Sequence, residues 1–126
     1  MGLDLTLMPL KDGRELSDHI LGYNRLRFVR DYRVFAQIAD VKGESVAPDE
    51  AIVRTYPLPP KVKVGIYGDS GIKNTRKNPY GEEMVYTTAR EMRKIVLPED
   101  VSHVNKAIMA YIKALRSDTP IILEWS

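Results

Sequence analysis

The stretch Asn78-Pro79-Tyr80-Gly81-Glu82-Glu83-Met84-Val85-Tyr86-Thr87-Thr88-Ala89-Arg90-Glu91-Met92 constrains the chain most, because a turn, an extended run and a helix start follow one another within it. Pro79-Tyr80-Gly81 is turn chemistry, Met84-Val85-Tyr86 reads as a short strand, and Thr88 with Glu91 three residues later is a capping box. Met92, Ile95 and Val96 extend the pattern, so a helix is predicted over about residues 89–97, with Pro98 ending it. Residues before this junction read mainly as strands and those after it mainly as helix.

Beyond Pro98, Asp100 or Ser102 caps a longer helix. Its Val104, Ile108, Tyr111, Ile112 and Leu115 are expected on one face, and Asn105, Lys106, Lys113 and Arg116 on the other. Asp118-Thr119-Pro120 turns the chain into a last strand, Ile121–Trp125. On the other side of the junction, Leu3–Leu7 alternates with period two, which predicts a strand with one face in the core, closed by Pro9. Lys11-Asp12-Gly13-Arg14 predicts a turn. His19–Phe28 reads as one extended segment, with Ile20, Gly22, Asn24 and Leu26 on one face and Leu21, Tyr23, Arg25 and Arg27 on the other. Tyr32, Phe35 and Ile38 recur at helical spacing and predict an amphipathic helix over 30–40, with Asp31 in its first turn.

Residues 41–51 lack periodicity and predict a loop. Tyr56-Pro57-Leu58-Pro59-Pro60 is favoured as a stiff connector over a polyproline ligand. Lys61–Tyr67 alternates with Val62, Val64 and Ile66 inward, and Gly68-Asp69-Ser70-Gly71 follows as a hairpin turn. The polar, basic segment Ile72–Pro79 predicts a surface loop or hairpin turn. The order does not alternate strand and helix as doubly wound folds do. The chain is therefore expected to be α+β: one domain spanning 1–126, a mainly antiparallel sheet with about three helices on one face, and the first and last strands pairing centrally.

The absence of cysteine excludes disulfides, thiolate nucleophiles, cysteine–zinc sites and iron–sulfur clusters. No apolar run approaches the ~20 residues of a spanning helix, and Asp4 stands where a signal peptide carries positive charge, so a soluble cytoplasmic protein with no membrane partner is expected. Met1-Gly2 opens a myristoylation pattern, but Thr6 falls within a strand, and Gly2 reads as strand lead-in. Nineteen Lys and Arg against seventeen Asp and Glu leave a net charge of +2, well short of the balance usual for nucleic-acid binding. The positive charge is local: Arg25, Arg27, Arg30 and Arg33 in one region, and Lys61, Lys63, Lys73, Arg76 and Lys77 in another.

His19 and His103 share no metal-ligand spacing, and Asp69, Glu82 and Glu83 lack that of a calcium loop, so no metal site is expected. Gly65–Gly71 carries three glycines but meets neither phosphate-binding fingerprint. No catalytic set and no cofactor motif is present. The strand face of Tyr23, Arg25 and Arg27 draws most interest: two parallel guanidiniums can grip phosphate, and a tyrosine offers a stacking plane. The competing reading is that these residues pair with surface acids on the helices or cover a subunit interface. Tyr67, Asn78, Tyr80, Glu82 and Tyr86 place polar groups near the central turn and complete the candidate ligand surface.

The segments Met1–Leu7, Tyr23–Arg27, Asn78–Glu82 and Tyr86–Met92 together resemble small uncharacterised proteins encoded by bacteriophages and prophages. The resemblance covers most of the chain and implies work in the bacterial cytoplasm, with no catalytic residues to transfer. The favoured expectation is a non-enzymatic phage accessory protein, an anti-defence factor that sequesters a nucleotide-like anion. The alternatives are a module that inhibits or redirects a host protein through the Pro-rich connector and the 69–80 loop, and, less favoured, a nucleotide-signal hydrolase using Glu82 or Asp69. Association with further copies of the chain is left open.

Overall fold

Alternating apolar residues separate onto opposite faces of a strand, and two segments, Leu5–Pro9 (β1) and Pro120–Trp125 (β8), are apolar on both. They pair antiparallel at the middle of the molecule, from Leu5 opposite Trp125 to Pro9 opposite Ile121. The computed structural model describes residues 3–10, 16, 19–21, 25–39 and 51–126, with backbone alone for 19–21, 67 and 68. The predicted turn at Lys11–Arg14 and loop at 41–50, together with Tyr23, lie outside the described residues.

The other elements, in chain order, are β2 (His19–Leu21), β3 (Leu26–Arg27), α1 (Tyr32–Phe35), β4 (Tyr56–Pro57), β5 (Lys63–Gly68), β6 (Gly71–Thr75), β7 (Val85–Thr88), α2 (Ala89–Met92) and α3 (His103–Ala114). One sheet has the order β3-β1-β8-β7-β4 and is antiparallel throughout; the second has the order β2-β5-β6, with β2 and β5 parallel. The fold is α+β, with the first and last strands central as expected.

The five-stranded sheet is covered on both faces. Leu5, Leu7, Val85, Ile121 and Leu123 point toward the helices and meet Val34, Phe35, Met92, Ile108, Met109 and Ile112. Phe35 is the hub of this layer, edge-on to Phe28, Tyr32 and Trp125 at centroid distances of 6.3, 6.0 and 5.5 Å. Met8 and Ile122 point the other way, into a second cluster with Leu10, Leu58, Val62, Val64 and Met84 beneath the smaller sheet. Burial on both sides corrects the expectation of a single core face for the Leu3–Leu7 strand; even Thr6 is covered.

Other local readings shift for physical reasons. His19–Phe28 is not one strand: β2 and β3 belong to different sheets, so the chain leaves one layer for the other between them. Ile72–Thr75 is strand rather than loop, because β5 offers an edge that its backbone can pair with whatever its side chains. The hairpin closes through Asp69-Ser70, and Gly71 holds a φ of 102° that a side chain would resist. The first helix is a single turn, with Asp31 as its N-cap, accepting from the Arg33 amide. Ile38 lies beyond it, in a bridge to Val53. The second helix covers only Ala89–Met92 of the predicted 89–97.

The Thr88–Glu91 capping box is half realised. Thr88 Oγ1 accepts from the Glu91 amide, but the Glu91 carboxylate turns to the Arg54 N–H (2.9 Å) and the Lys94 ammonium instead of reaching back to Thr88. Thr87 Oγ1 donates to the Arg54 carbonyl at 2.6 Å, so both backbone groups of Arg54 are satisfied by side chains. The same device recurs twice. Gln37 holds the N–H and C=O of Val96, each at 2.8 Å, and Asn105 holds those of Val29 at 2.8 and 2.9 Å.

Asn105 was expected on the outer face of the long helix, yet it is fully buried. The buried stripe is Asn105, Ile108, Met109 and Ile112, while Val104 and Tyr111 are exposed. Ser102 caps this helix. Removing the Asn105 amide leaves a backbone N–H and C=O without partners at a packed junction, which costs about 2–3 kcal/mol. Urea unfolding of Asn105→Ala should show a loss of that size, against a change within about 0.5 kcal/mol for Lys106→Ala on the exposed face.

Candidate functional site

The register places the candidate surface at one end of the large sheet. Val85 pairs with Leu123, so the chain entering β7 runs beyond that point toward Glu124 and Trp125. The same end carries Asp4 and, opposite Thr6, Arg27. Arg25 and Arg27 fall on the face of Thr6 and Glu124, and Leu26 packs on the opposite, helical side. The sequence reading of Leu26 facing away from both arginines therefore holds.

Each arginine meets a carboxylate. Arg25 Nη2 reaches across β1 to Glu124 Oε1 at 2.7 Å; the Glu124 side chain is 7% exposed and that of Arg25 38%. Asp4 is shared: Arg27 Nη2 donates to it at 3.0 Å, and Arg30 donates through Nε and Nη2 at 3.1 and 2.9 Å. Arg33 is held by Asp31 and Asp100. Arg25 and Arg27 do pair with acids, but not with surface acids on the helices: Glu124 is a buried residue of β8 and Asp4 directly precedes β1. This pairing leaves donors open, since a guanidinium has five N–H groups and, among the described residues, Arg25 and Arg27 each use only Nη2. Arg27 stands 65% exposed.

Asn78 is absorbed by its own turn. Its Oδ1 accepts from the amides of Tyr80 (2.9 Å) and Glu82 (3.1 Å), and its N–H donates to the Glu82 carbonyl at 2.8 Å. With Gly81 at a φ of 81° and a bridge between Lys77 and Glu83, residues 77–83 form a tight hairpin. Tyr80 and Glu82 are exposed on this turn. Tyr86 lies on the neighbouring strand, its ring 5.5 Å from that of Tyr56. Of Tyr67 only the backbone is described.

The structure thus brings Arg25 and Arg27 to one sheet end, adds Arg30, and assigns Asn78 to its own turn, on which Tyr80 is exposed. Arg30 stood out in the sequence only as one of a run of arginines; its link to Asp4 depends on where β1 lies. Arg76, counted with the basic loop, is a structural anchor: Nη1 donates to the carbonyls of Pro59 and Val62 at 2.7 Å, and the head also meets Glu83. Gly68–Gly71 closes the β5–β6 hairpin. His103 is exposed at the start of α3. Among the described residues no group of three or more His, Asp or Glu is placed to hold a metal ion, and no helix is long and apolar enough to cross a membrane.

Comparison of the chain with protein-family models, with curated proteins and with solved structures finds no match. What fold and surface define is an α+β protein with a guanidinium-rich, carboxylate-braced end to its central sheet.

The braces titrate. Hydrogen bonding to Arg30, aided by Arg27, holds the Asp4 carboxyl below its ordinary 3.8 against desolvation, and Arg33 depresses Asp31 and Asp100. Burial raises the Glu91 carboxyl, but the Arg54 amide and Lys94 together outweigh it, so it too titrates below its ordinary 4.5. A carboxyl depressed in the folded state stabilises the fold above its unfolded pKa, and that stabilisation is lost as pH falls through the folded value. The urea midpoint should therefore fall as the solution is acidified below about pH 4. Asp4→Asn and Glu91→Gln should each start lower at neutral pH and lose less on acidification.

Proposed function

We propose that the protein is a non-enzymatic binding protein that captures a nucleotide-like anion at the sheet end formed by Arg25, Arg27, Arg30 and Tyr80. The observation that carries this reading is the shared carboxylate: Asp4 braces both Arg27 and Arg30, so among the described residues the three guanidiniums of Arg25, Arg27 and Arg30 meet two acids, Asp4 and Glu124. The surplus positive charge and the open donors of Arg27 suit a phosphate, and bracing lowers the entropy lost when the arginines close on it. Tyr80 supplies an exposed ring at the rim, at the place where a base would stack.

The resemblance to phage and prophage proteins sets this capture in the bacterial cytoplasm, as an accessory or anti-defence activity directed at a nucleotide signal. A hydrolase is less well supported, because Asp69 and Glu82 sit on separate turns, one closing β5–β6 and the other within 77–83.

A thermal-shift panel of cyclic dinucleotides, cyclic ADP-ribose isomers and mononucleotides tests the proposal. A true ligand at 100 times its dissociation constant adds about 2.7 kcal/mol of stability. Arg27→Gln and Tyr80→Ala should each weaken its binding about tenfold, a loss of ~1.4 kcal/mol. Stabilisation by none of these compounds, or binding untouched by both substitutions, would sink the reading.

A further inference from the structure

We propose that the outer edge of β6 takes up an extended, acidic segment of a partner protein as a fourth strand of the smaller sheet. The sheet order β2-β5-β6 leaves β6 at an edge with no described strand beyond it, so alternate residues of Gly71–Thr75 turn their N–H and C=O groups outward. Such a row of unpaired backbone groups templates another strand. It is also held firmly. Arg76, directly after β6, donates to the carbonyls of Leu58, Pro59 and Val62, and β5 pairs with β6 along its inner side from Val64 to Gly68, so the edge is presented already in strand conformation.

Charge selects the occupant. Lys73 on this strand and Lys77 just beyond it are exposed, and among the described residues neither has a carboxylate partner; the nearby Glu83 is taken by Arg76. Two copies of β6 pairing about a two-fold axis through the middle of the strand would bring Lys73 directly against Lys73 of the other copy, which disfavours a second copy. An incoming strand with glutamate or aspartate at alternate positions meets these lysines with opposite charge, and Ile72, 48% exposed, offers its apolar residues a contact. β6 belongs to the smaller sheet and Arg25 and Arg27 flank the larger one, so this site does not depend on nucleotide capture.

Fluorescence anisotropy with a labelled alternating valine–glutamate peptide tests the proposal on the full chain. The peptide should bind. Lys73→Glu should weaken it about tenfold, N-methylation of its alternate amides should remove binding, and Arg27→Gln should leave it unchanged. The proposal is overturned by absence of binding, by equal binding of the N-methylated or valine–lysine peptide, or by insensitivity to Lys73→Glu in a variant whose melting curve matches the parent. Displacement by single-stranded oligonucleotide in preference to acidic peptide, or a concentration-dependent dimer that Lys73→Glu alters, would assign the edge to nucleic acid or to a second copy and overturn it equally.

Discussion

The antiparallel pairing of β1 with β8 is the contact on which the rest of the molecule depends. It continues past the strands, since the Asp4 and Ser126 backbones exchange hydrogen bonds at 2.7 and 2.9 Å. The two strands are separated by nearly the whole chain, so loop closure makes their meeting entropically costly, and burial on both faces compensates. Leu5, Leu7, Ile121 and Leu123 anchor the helical layer, and Met8 and Ile122 anchor the smaller sheet. Neither layer has an apolar floor without this pair.

The same pairing builds the polar end of the sheet. Glu124 faces away from the helices because Leu123 and Trp125 face toward them, and it lies buried beside Thr6, where Arg25 reaches it. Asp4 stands at the mouth of β1 between Arg27 and Arg30. The carboxylates support guanidiniums that stay partly exposed. Elsewhere side chains replace missing strands: Asn105 for Val29, Gln37 for Val96, and Glu91 with Thr87 for Arg54. These clamps let irregular backbone pack against the helices without stranding its polar groups.

Local signals in the sequence carried well. β5, β8 and the hairpin at Asp69-Ser70 depend on neighbouring residues and form close to where expected, and Ser102, one of two candidates, is the cap; β1 runs Leu5–Pro9 rather than Leu3–Leu7, with Pro9 inside it instead of closing it, because β8 pairs that far. β6 was missed because Gly-Ile-Lys-Asn-Thr has no apolar alternation; it is a strand only because β5 lies beside it. Asn105 was misplaced because an amide was read as a surface residue. Its spacing of three, four and seven to Ile108, Met109 and Ile112 puts it on the buried stripe, which a reading by position rather than polarity would have recovered. At the candidate site, the common face of Arg25 and Arg27 was legible from alternation. Their acids were not, because Glu124 and Asp4 become neighbours only through the β1–β8 register.

Residue-resolved amide hydrogen exchange under native conditions tests the central claim most directly. If β1 and β8 hold the two layers together, the amides of Leu7, Ile122 and Leu123 exchange only through global unfolding, with a common free energy, while those of β6 exchange through local opening. Exchange of β8 as fast as that of β6, or from a separate opening that leaves β1 protected, would contradict the account.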